Sequence, residues 1–547
     1  MNLKTLKGTV EEIIFSNESN GYKVCELRQD KNLITVVGNM PFVNIGETLK
    51  ITGDWTIHQD YGEQFKINYF EKILPDTPDS LEKFLSSGII KGVGKKTAKK
   101  IINKFGDETL NIIKFTPQKL TVIKGINERK ALALSASIKE QEELGDVILF
   151  LNKYGISSSM AIKIYKLFGT ATIKKIEENP YVLTDEFIGI GFKTVDKIAM
   201  SAGIDPLSKF RISSAIKYVL SRSAVNGHTF LHEEILIEYT SILLNIEVND
   251  INDALISLIM EGKVFRETYS EQTRVYLTSF YNAEIGVSKK LAELSKVSFN
   301  VNEKNFEKEI EKVQAEEDIE LAPKQIIAVK EALKNGAIII TGGPGTGKTT
   351  IIKCIIKLFE KEGLTVALSA PTGRAAKRME EATGYEAKTI HRLLEIGYGA
   401  DEEMIFQRNM DFPLDFDVVI IDEMSMVDIL LMNHLLKAVS AGTRLVFVGD
   451  TDQLPAVGPG NVLKDILNSE KIKIVKLTEI FRQARESMIV VNAHKINKGD
   501  IPKVNSEGSN FFFINKEKSK EVVDMIIELC KDRIPGKYGY DSLKDIQ

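Results

Sequence analysis

Ile338-Ile339-Ile340-Thr341-Gly342-Gly343-Pro344-Gly345-Thr346-Gly347-Lys348-Thr349-Thr350-Ile351-Ile352-Lys353-Cys354-Ile355-Ile356-Lys357 reads as strand, glycine loop and helix. The loop fits G-x-x-x-x-G-K-[ST] through Gly342, Gly347, Lys348 and Thr349. Glycines let the backbone N–H groups of the Gly343-Pro344-Gly345-Thr346-Gly347 run, present at all but Pro344, converge on phosphate oxygens, where side chains would obstruct. The following helix, opening on Lys348-Thr349-Thr350, turns its positive dipole end toward the same anion. The pattern predicts a nucleoside triphosphate, with Lys348 reaching the terminal phosphates and the Thr349 hydroxyl ligating Mg²⁺.

Outward from this loop, residues from about Leu321 to Lys498 alternate strand and helix, as in a parallel α/β domain. Strands are expected at Ala337–Thr341, Thr365–Ser369, Asp417–Ile421, Arg444–Val448 and Ile472–Leu477. Runs such as Val418-Val419-Ile420-Ile421 are apolar without alternation, which indicates burial on both faces. Ligands of such sheets lie at the carboxyl ends of the strands. Asp422-Glu423 ends one of them. Asp422 is placed to hold Mg²⁺, largely through water, and Glu423 to orient and deprotonate an attacking water. Gly449-Asp450-Thr451-Asp452-Gln453-Leu454-Pro455 ends another.

Upstream, residues 1 to about 75 offer five short strands between turn signals, which fits a small closed β-barrel of the OB type. Trp55, Tyr61, Phe65 and Tyr69 could form its core or stack on single-stranded bases. Residues 76–204 read as helical with a weak repeat of helix, Gly-centred turn and helix. Gly92-Val93-Gly94 and Gly189-Ile190-Gly191 match the helix-hairpin-helix pattern, whose backbone amides meet DNA phosphate. Gly92, Gly94, Lys95 and Lys96, with Lys91, Lys99, Lys100 and Lys104, are either a DNA-contacting face or a solvated helical scaffold. Two further copies, at Gly125 and Gly155, lack the second glycine. Residues 205–300 suggest a winged-helix-like module, with helices at Ser213–Ala224 and Asn252–Glu261 and a hairpin through Lys263–Glu267 and Arg274–Thr278.

Several segments resemble the motifs of superfamily 1 helicases of the RecD-like branch, in the long form with an N-terminal extension. Gly449-Asp-x-x-Gln-Leu-Pro resembles motif III, with Ala456 where the family commonly has a second proline. Ala370-Pro371-Thr372-Gly373-Arg374-Ala375-Ala376 resembles motif Ia, Leu321-Ala322-Pro323-Lys324-Gln325 the Q motif, and Leu477-Thr478-Glu479-Ile480-Phe481-Arg482-Gln483 motif IV. Thr389–Leu394 and Asn492–Gly499 are similar to further segments of that branch. The resemblance implies a RecA-like P-loop NTPase domain at 301–500. Gln325 would recognise the base, Gln453 would sense the γ-phosphate, and Arg482 would stabilise transition-state charge. Pro371, Thr372 and Arg374 would border the single-strand track, and a hairpin insertion at 395–414 would split the duplex. It also implies ATP and Mg²⁺ as cofactors and 5′→3′ translocation. Single-stranded and 5′-tailed duplex DNA would be the substrates. Single-strand-binding or repair and replication proteins would be partners, in the bacterial cytoplasm at the nucleoid.

A single RecA-like domain supplies half of the ATP cleft in that family. Residues 501–547 read as one β-α unit of an incomplete second such domain, with a strand at Phe511–Ile514 and a helix at Lys518–Lys531. Motifs V and VI are absent, so the chain reads as truncated, binding nucleotide weakly and not unwinding DNA. Two other readings stay open: an AAA+ ATPase, which shares the glycine loop and Asp-Glu pair, and a structure-specific DNA-binding accessory protein with a vestigial ATPase. Composition is ordinary for a soluble multidomain protein, 43% hydrophobic and 27% charged over 547 residues. The three cysteines, Cys25, Cys354 and Cys530, form no CxxC pair, which argues against structural zinc. No apolar run is long enough for a membrane span. A net charge of −4 does not advertise nucleic-acid binding, but basic patches are local.

Overall fold

A computed structural model of the chain describes all residues except 1–3, 18–21, 30–31, 41–42, 44, 59–61, 74–80, 83–84, 86–92, 187–189, 399–403, 480–486 and 505–509. The chain divides into two compact units, Met1–Ser214 and Ala215–Gln547.

In the first unit, β1 (Lys4–Ser16), β2 (Tyr22–Gln29), β3 (Asn32–Asn39), β4 (Thr48–His58) and β5 (Gly62–Ile73) close a barrel in the order β1-β2-β3-β5-β4. Val10, Cys25, Leu27, Val36, Leu49, Ile51 and Phe65 fill it. The aromatic set divides. Phe65 is core, whereas Trp55 and Tyr69 remain 38% and 44% exposed; Tyr61 lies outside the described residues. Trp55 meets Phe65 edge-on, ring centroids 5.3 Å apart.

The helical region contains a structural repeat. Helices Lys95–Phe105 and Ser158–Phe168 both end on a glycine of positive φ, Gly106 at 51° and Gly169 at 56°. Each leads through a 3-10 turn into a short helix, Thr109–Phe115 or Thr172–Glu178. At both junctions a threonine hydroxyl donates to the glycine carbonyl, Thr109 to Gly106 and Thr172 to Gly169, each at 2.7 Å. Only glycine adopts this backbone without strain.

The winged-helix expectation gains an element. The order is helix Lys209–Val225, β6 (Phe230–His232), helix Glu233–Leu244, helix Val248–Met260, then β7 (Val264–Tyr269) and β8 (Gln272–Leu277), with sheet order β6-β8-β7. The hairpin turns at Ser270-Glu271, both at positive φ, the geometry that matches strand twist in two-residue loops.

Beyond it stands a six-stranded, wholly parallel sheet. Its order is β11 (Ala387–Thr389), β10 (Val366–Ala370), β14 (Val418–Ile421), β15 (Arg444–Gly449), β9 (Ala337–Gly342), β16 (Lys473–Leu477). Side chains alternate between two cores. Ile339, Val419, Ile421, Leu445 and Phe447 face helices Thr278–Ser295 and Ile429–Lys437. Ile338, Ile340, Val418, Ile420, Val446 and Val448 face helices Glu303–Glu316, Pro323–Lys334 and Lys348–Lys361. This double burial explains the continuous apolar strands. Between β11 and β14, β12 (Ile396–Tyr398) and β13 (Met404–Phe406) form the expected hairpin, seated by Phe406 between His391 and His434.

One expectation fails. Phe511–Ile514 is not a strand. A strand persists only within a ladder, and none of the described sheets includes this segment. The helix Ser519–Glu528 does form, with none of its residues buried.

Candidate functional site: a phosphate-binding loop at the strand ends

The loop between β9 and helix Lys348–Lys361 requires two of its glycines on backbone grounds, with φ of 73° at Gly345 and 76° at Gly347. Gly347 is the N-cap, so the free N–H groups of Lys348, Thr349 and Thr350 face the loop's mouth. Lys348 Nζ donates to the carbonyls of Gly342 (2.7 Å) and Gly343 (3.1 Å). The ammonium is thus parked on the loop's own backbone, in the position from which it can turn to phosphate oxygens.

Two side chains from outside the loop hold it. Gln325 is 2% exposed; its Nε2 donates to Thr346 O (2.9 Å), while its Oε1 accepts from Ala322 N (2.9 Å). The residue expected to read a base is therefore engaged at both ends with protein. On the other side, His494 from helix Met488–Asn497 reaches Pro344 O at 3.2 Å. His494 lies in the Asn492–Gly499 segment that resembles the RecD-like branch, but the resemblance gave it no role, because its contact joins segments 150 residues apart. Thr346 Oγ1 donates across the loop to Gly343 O at 2.9 Å.

The Asp-Glu pair lies at the carboxyl end of β14, in the same sheet. Asp422 N donates to Ser369 O of β10 (2.9 Å), and Glu423 N to Asp422 Oδ1 (2.8 Å). Burial pushes the Asp422 carboxyl up to about 6; the Glu423 N–H and the charges of Lys348 and Arg378 pull it down, and the Glu423 charge adds to the rise. Glu423 has left-handed backbone, φ 55° and ψ 41°, a conformation that costs a non-glycine residue about 1–3 kcal/mol. Its Oε2 is buried with no hydrogen-bond partner among the described residues. A strained residue aiming an unsatisfied carboxylate oxygen is suited to accept a water's proton.

The donors fit a divalent cation brought with a nucleotide. Thr349 and Asp422 are hard oxygen donors, and Mg²⁺ completes its shell from phosphates and water. Without that cation, the raised Asp422 pKa is a stability cost. A carboxyl held more tightly in the folded state stabilises fully below its unfolded pKa, and the contribution is lost as pH rises through about 6. Asp422→Asn is therefore expected to stabilise the nucleotide-free chain at pH 7 by up to about 2–3 kcal/mol. Thermal melts should show the gain shrink toward pH 4 and disappear once Mg·nucleotide saturates the unsubstituted chain.

Gln453 is exposed on the loop after β15. That loop is fixed beyond it: Ile429 N donates to Pro459 O (3.0 Å) and Gly460 N to Gly227 O of the winged-helix module (2.9 Å). Thr372 caps helix Gly373–Thr383 by accepting from Ala375 N (3.2 Å), so its hydroxyl is already used, while Arg374 beside it is exposed and Pro371 half-buried. Arg482 lies outside the described residues, as do Gly92 and Lys91. Gly94 is the N-cap of helix Lys95–Phe105 and leaves its amides uncapped by any side chain; Lys95, Lys96, Lys99, Lys100 and Lys104 are exposed. The winged-helix module is different. Between Glu233 and Gly262, over both helices that such a module would set against a partner, there are seven acidic residues and no lysine or arginine. Those two helices offer a phosphate no cation of their own.

Three family models match the chain: an OB-fold domain of the ATP-dependent DNA helicase YrrC over residues 3–75, the HHH domain of ATP-dependent RecD2 DNA helicase over 140–230, and an AAA domain over 320–510. A curated ATP-dependent RecD2 DNA helicase of Deinococcus radiodurans is 30% identical over 86% of this chain and 66% of its own length. The RecBCD enzyme subunit RecD of Mycolicibacterium smegmatis is 40% identical over 26% of this chain and 30% of its own. The RecD subunit of Buchnera aphidicola from Acyrthosiphon pisum is 32% identical over 41% and 42%. The chain thus spans less than two thirds of the length of these relatives. Among described residues, no helix is long and apolar enough to cross a membrane.

Proposed function

We propose, from the premise that this chain belongs to the RecD-like family of superfamily 1 helicases, that the intact protein is an ATP-dependent DNA helicase moving 5′→3′ on single strands. The observation that carries the ATP chemistry is the pairing of two features in one sheet. One is a glycine loop whose lysine rests on its own carbonyls. The other is a strained glutamate with a buried, unpartnered carboxylate oxygen.

ATP bound with Mg²⁺ supplies the transferable phosphoryl group and the charge that neutralises it. Around it, Lys348 and the backbone amides of Gly343 and of Gly345 to Thr350 bind and orient the phosphates, Pro344 having no N–H to give. Thr349 and Asp422 hold the cation. Glu423 takes the proton of the attacking water, Gln453 senses the γ-phosphate, and Arg482 stabilises charge in the transition state. Gln325 keeps one amide hydrogen on Thr346 O and offers the base the other.

DNA contact falls to the uncapped amides and lysines at Gly94, Lys95 and Lys96, to Arg374 and Pro371, and to the exposed Trp55 and Tyr69 of the barrel. Single-stranded and 5′-tailed duplex DNA are the substrates, with single-strand-binding or repair proteins as partners in the bacterial cytoplasm. The insertion at 395–414, with Ile405 exposed on β13 and Met410 and Phe412 exposed beyond it, suits separation of a duplex. The test is strand displacement by the intact protein on duplexes carrying a 5′ or a 3′ tail.

A further inference from the structure

The sheet order sets β16 beside β9, and the chain leaving β16 returns through helix Met488–Asn497 to the phosphate-binding loop. There the His494 imidazole meets two consecutive loop residues. Its ring nitrogen Nε2 lies 3.2 Å from Pro344 O. A carbonyl only accepts, so Nε2 carries the proton and donates. Its Cε1 lies 2.6 Å from where a Cβ on Gly343 would stand, and all three atoms nearest that point belong to His494. Gly343 is not at positive φ. Its missing side chain therefore answers to the imidazole rather than to backbone geometry.

The helix bearing His494 is itself anchored. Asn492, fully buried, donates from Nδ2 to Lys503 O (2.6 Å) and accepts from Lys503 N (2.8 Å). This two-point grip on the following segment fixes the helix from its far side. The loop is consequently held at two carbonyls, Thr346 by Gln325 and Pro344 by His494. Gln325 belongs to a recognised motif. His494 lies in the Asn492–Gly499 segment, to which the resemblance assigns no role.

We propose that His494 is a positioning residue for nucleotide binding. Its Nε2–H clamps the Pro344 carbonyl, so the amides of the loop's first half stay aimed at the phosphates, and Asn492 passes the loop's position to the chain beyond residue 500. The inference rests on the phosphate-binding reading of the loop. It adds a residue that touches neither phosphate nor cation and acts through the loop backbone. A preorganised loop binds more tightly because less ordering accompanies binding. Loss of one such hydrogen bond corresponds to a three- to tenfold change, on the order of typical net values.

The experiment is titration of the chain with a fluorescent N-methylanthraniloyl ADP in the presence of Mg²⁺. His494→Ala and His494→Leu are expected to weaken binding by about three- to tenfold, and His494→Gln, which keeps a donor, to restore it to within about twofold. Melting temperatures report any general loss of fold. Gly343→Ala perturbs the same contact from the loop side, because its Cβ displaces the imidazole. It should weaken binding comparably, and Gly343→Ala/His494→Ala should be no weaker than either single variant. Wild-type affinity in His494→Leu would reduce the imidazole to a space filler and overturn the proposal, as would additive losses in the double variant. Absence of binding by the unsubstituted chain would overturn the phosphate-binding reading itself and the clamp with it; binding that is indifferent to all three His494 variants would overturn only the clamp.

Discussion

Lys348→Ala is expected to remove measurable ATP hydrolysis, lowering turnover by at least about a hundredfold, the scale for losing one preorganised charge-stabilising donor. Lys348 is the one lysine in the loop motif, and it opens the helix whose N-terminus faces the bound phosphates. Its ammonium already sits within hydrogen-bonding distance of two loop carbonyls, so little reorganisation separates the resting position from a phosphate contact. Removal has a second effect. Lys348 is one of the positive charges lowering the Asp422 pKa. Without it, Asp422 protonates at higher pH, and Mg²⁺ affinity near pH 6–7 falls as well. Lys348→Ala should therefore show weaker binding of Mg·nucleotide as the pH falls, more steeply than the unsubstituted chain. Phosphate-release kinetics with a Mg²⁺ titration at two pH values checks both effects. Unchanged turnover would remove Lys348 from the chemistry.

Glu423→Gln should separate binding from hydrolysis. The substitution keeps the size and the backbone of the residue but removes its capacity to take a proton, which general-base catalysis values at about 10²–10⁴-fold. ATP binding should remain within a small factor, because the Glu423 carboxylate oxygen Oε2 makes no hydrogen bond to the glycine loop among the described residues. Stability should not fall. The carboxylate oxygen Oε2 has no partner to lose, and the neighbouring Asp422 carboxyl loses a negative neighbour that raises its pKa. A trapped, slowly hydrolysing ATP complex is the expected product, read by single-turnover hydrolysis beside equilibrium binding. Equal losses of binding and turnover would assign Glu423 to loop structure rather than to proton transfer.

Much of this was legible in the sequence for one physical reason: buried parallel strands must be apolar on both faces. Val418–Ile421 and Ile338–Ile340 therefore announced themselves, and the polar residues at their ends stood out as chemistry. The five-stranded barrel was legible from its turns. Less legible was Glu233–Leu244. Its run Ile235-Leu236-Ile237 is β-branched and looks like strand, yet it folds as helix because Leu236, Thr240 and Leu244 form one buried face. The short β11 was not anticipated, since it exists only through three residue pairs with β10. Phe511–Ile514 has strand-like composition without a ladder to join. His494 illustrates a different limit. Its role depends on a tertiary contact with Pro344, and the glycine that accommodates it looked like part of a phosphate motif. Gln325, expected to recognise the base, lies against the loop on Thr346 O, a partner that no motif specifies.

Helicase action of this polarity is tested most directly by strand displacement on otherwise identical duplexes with a 5′ or a 3′ single-stranded tail, with and without ATP. Unwinding of the 5′-tailed duplex alone, dependent on ATP and lost in Lys348→Ala, is the predicted result. ATP-independent DNA binding without displacement, or unwinding from the 3′ tail, would contradict it.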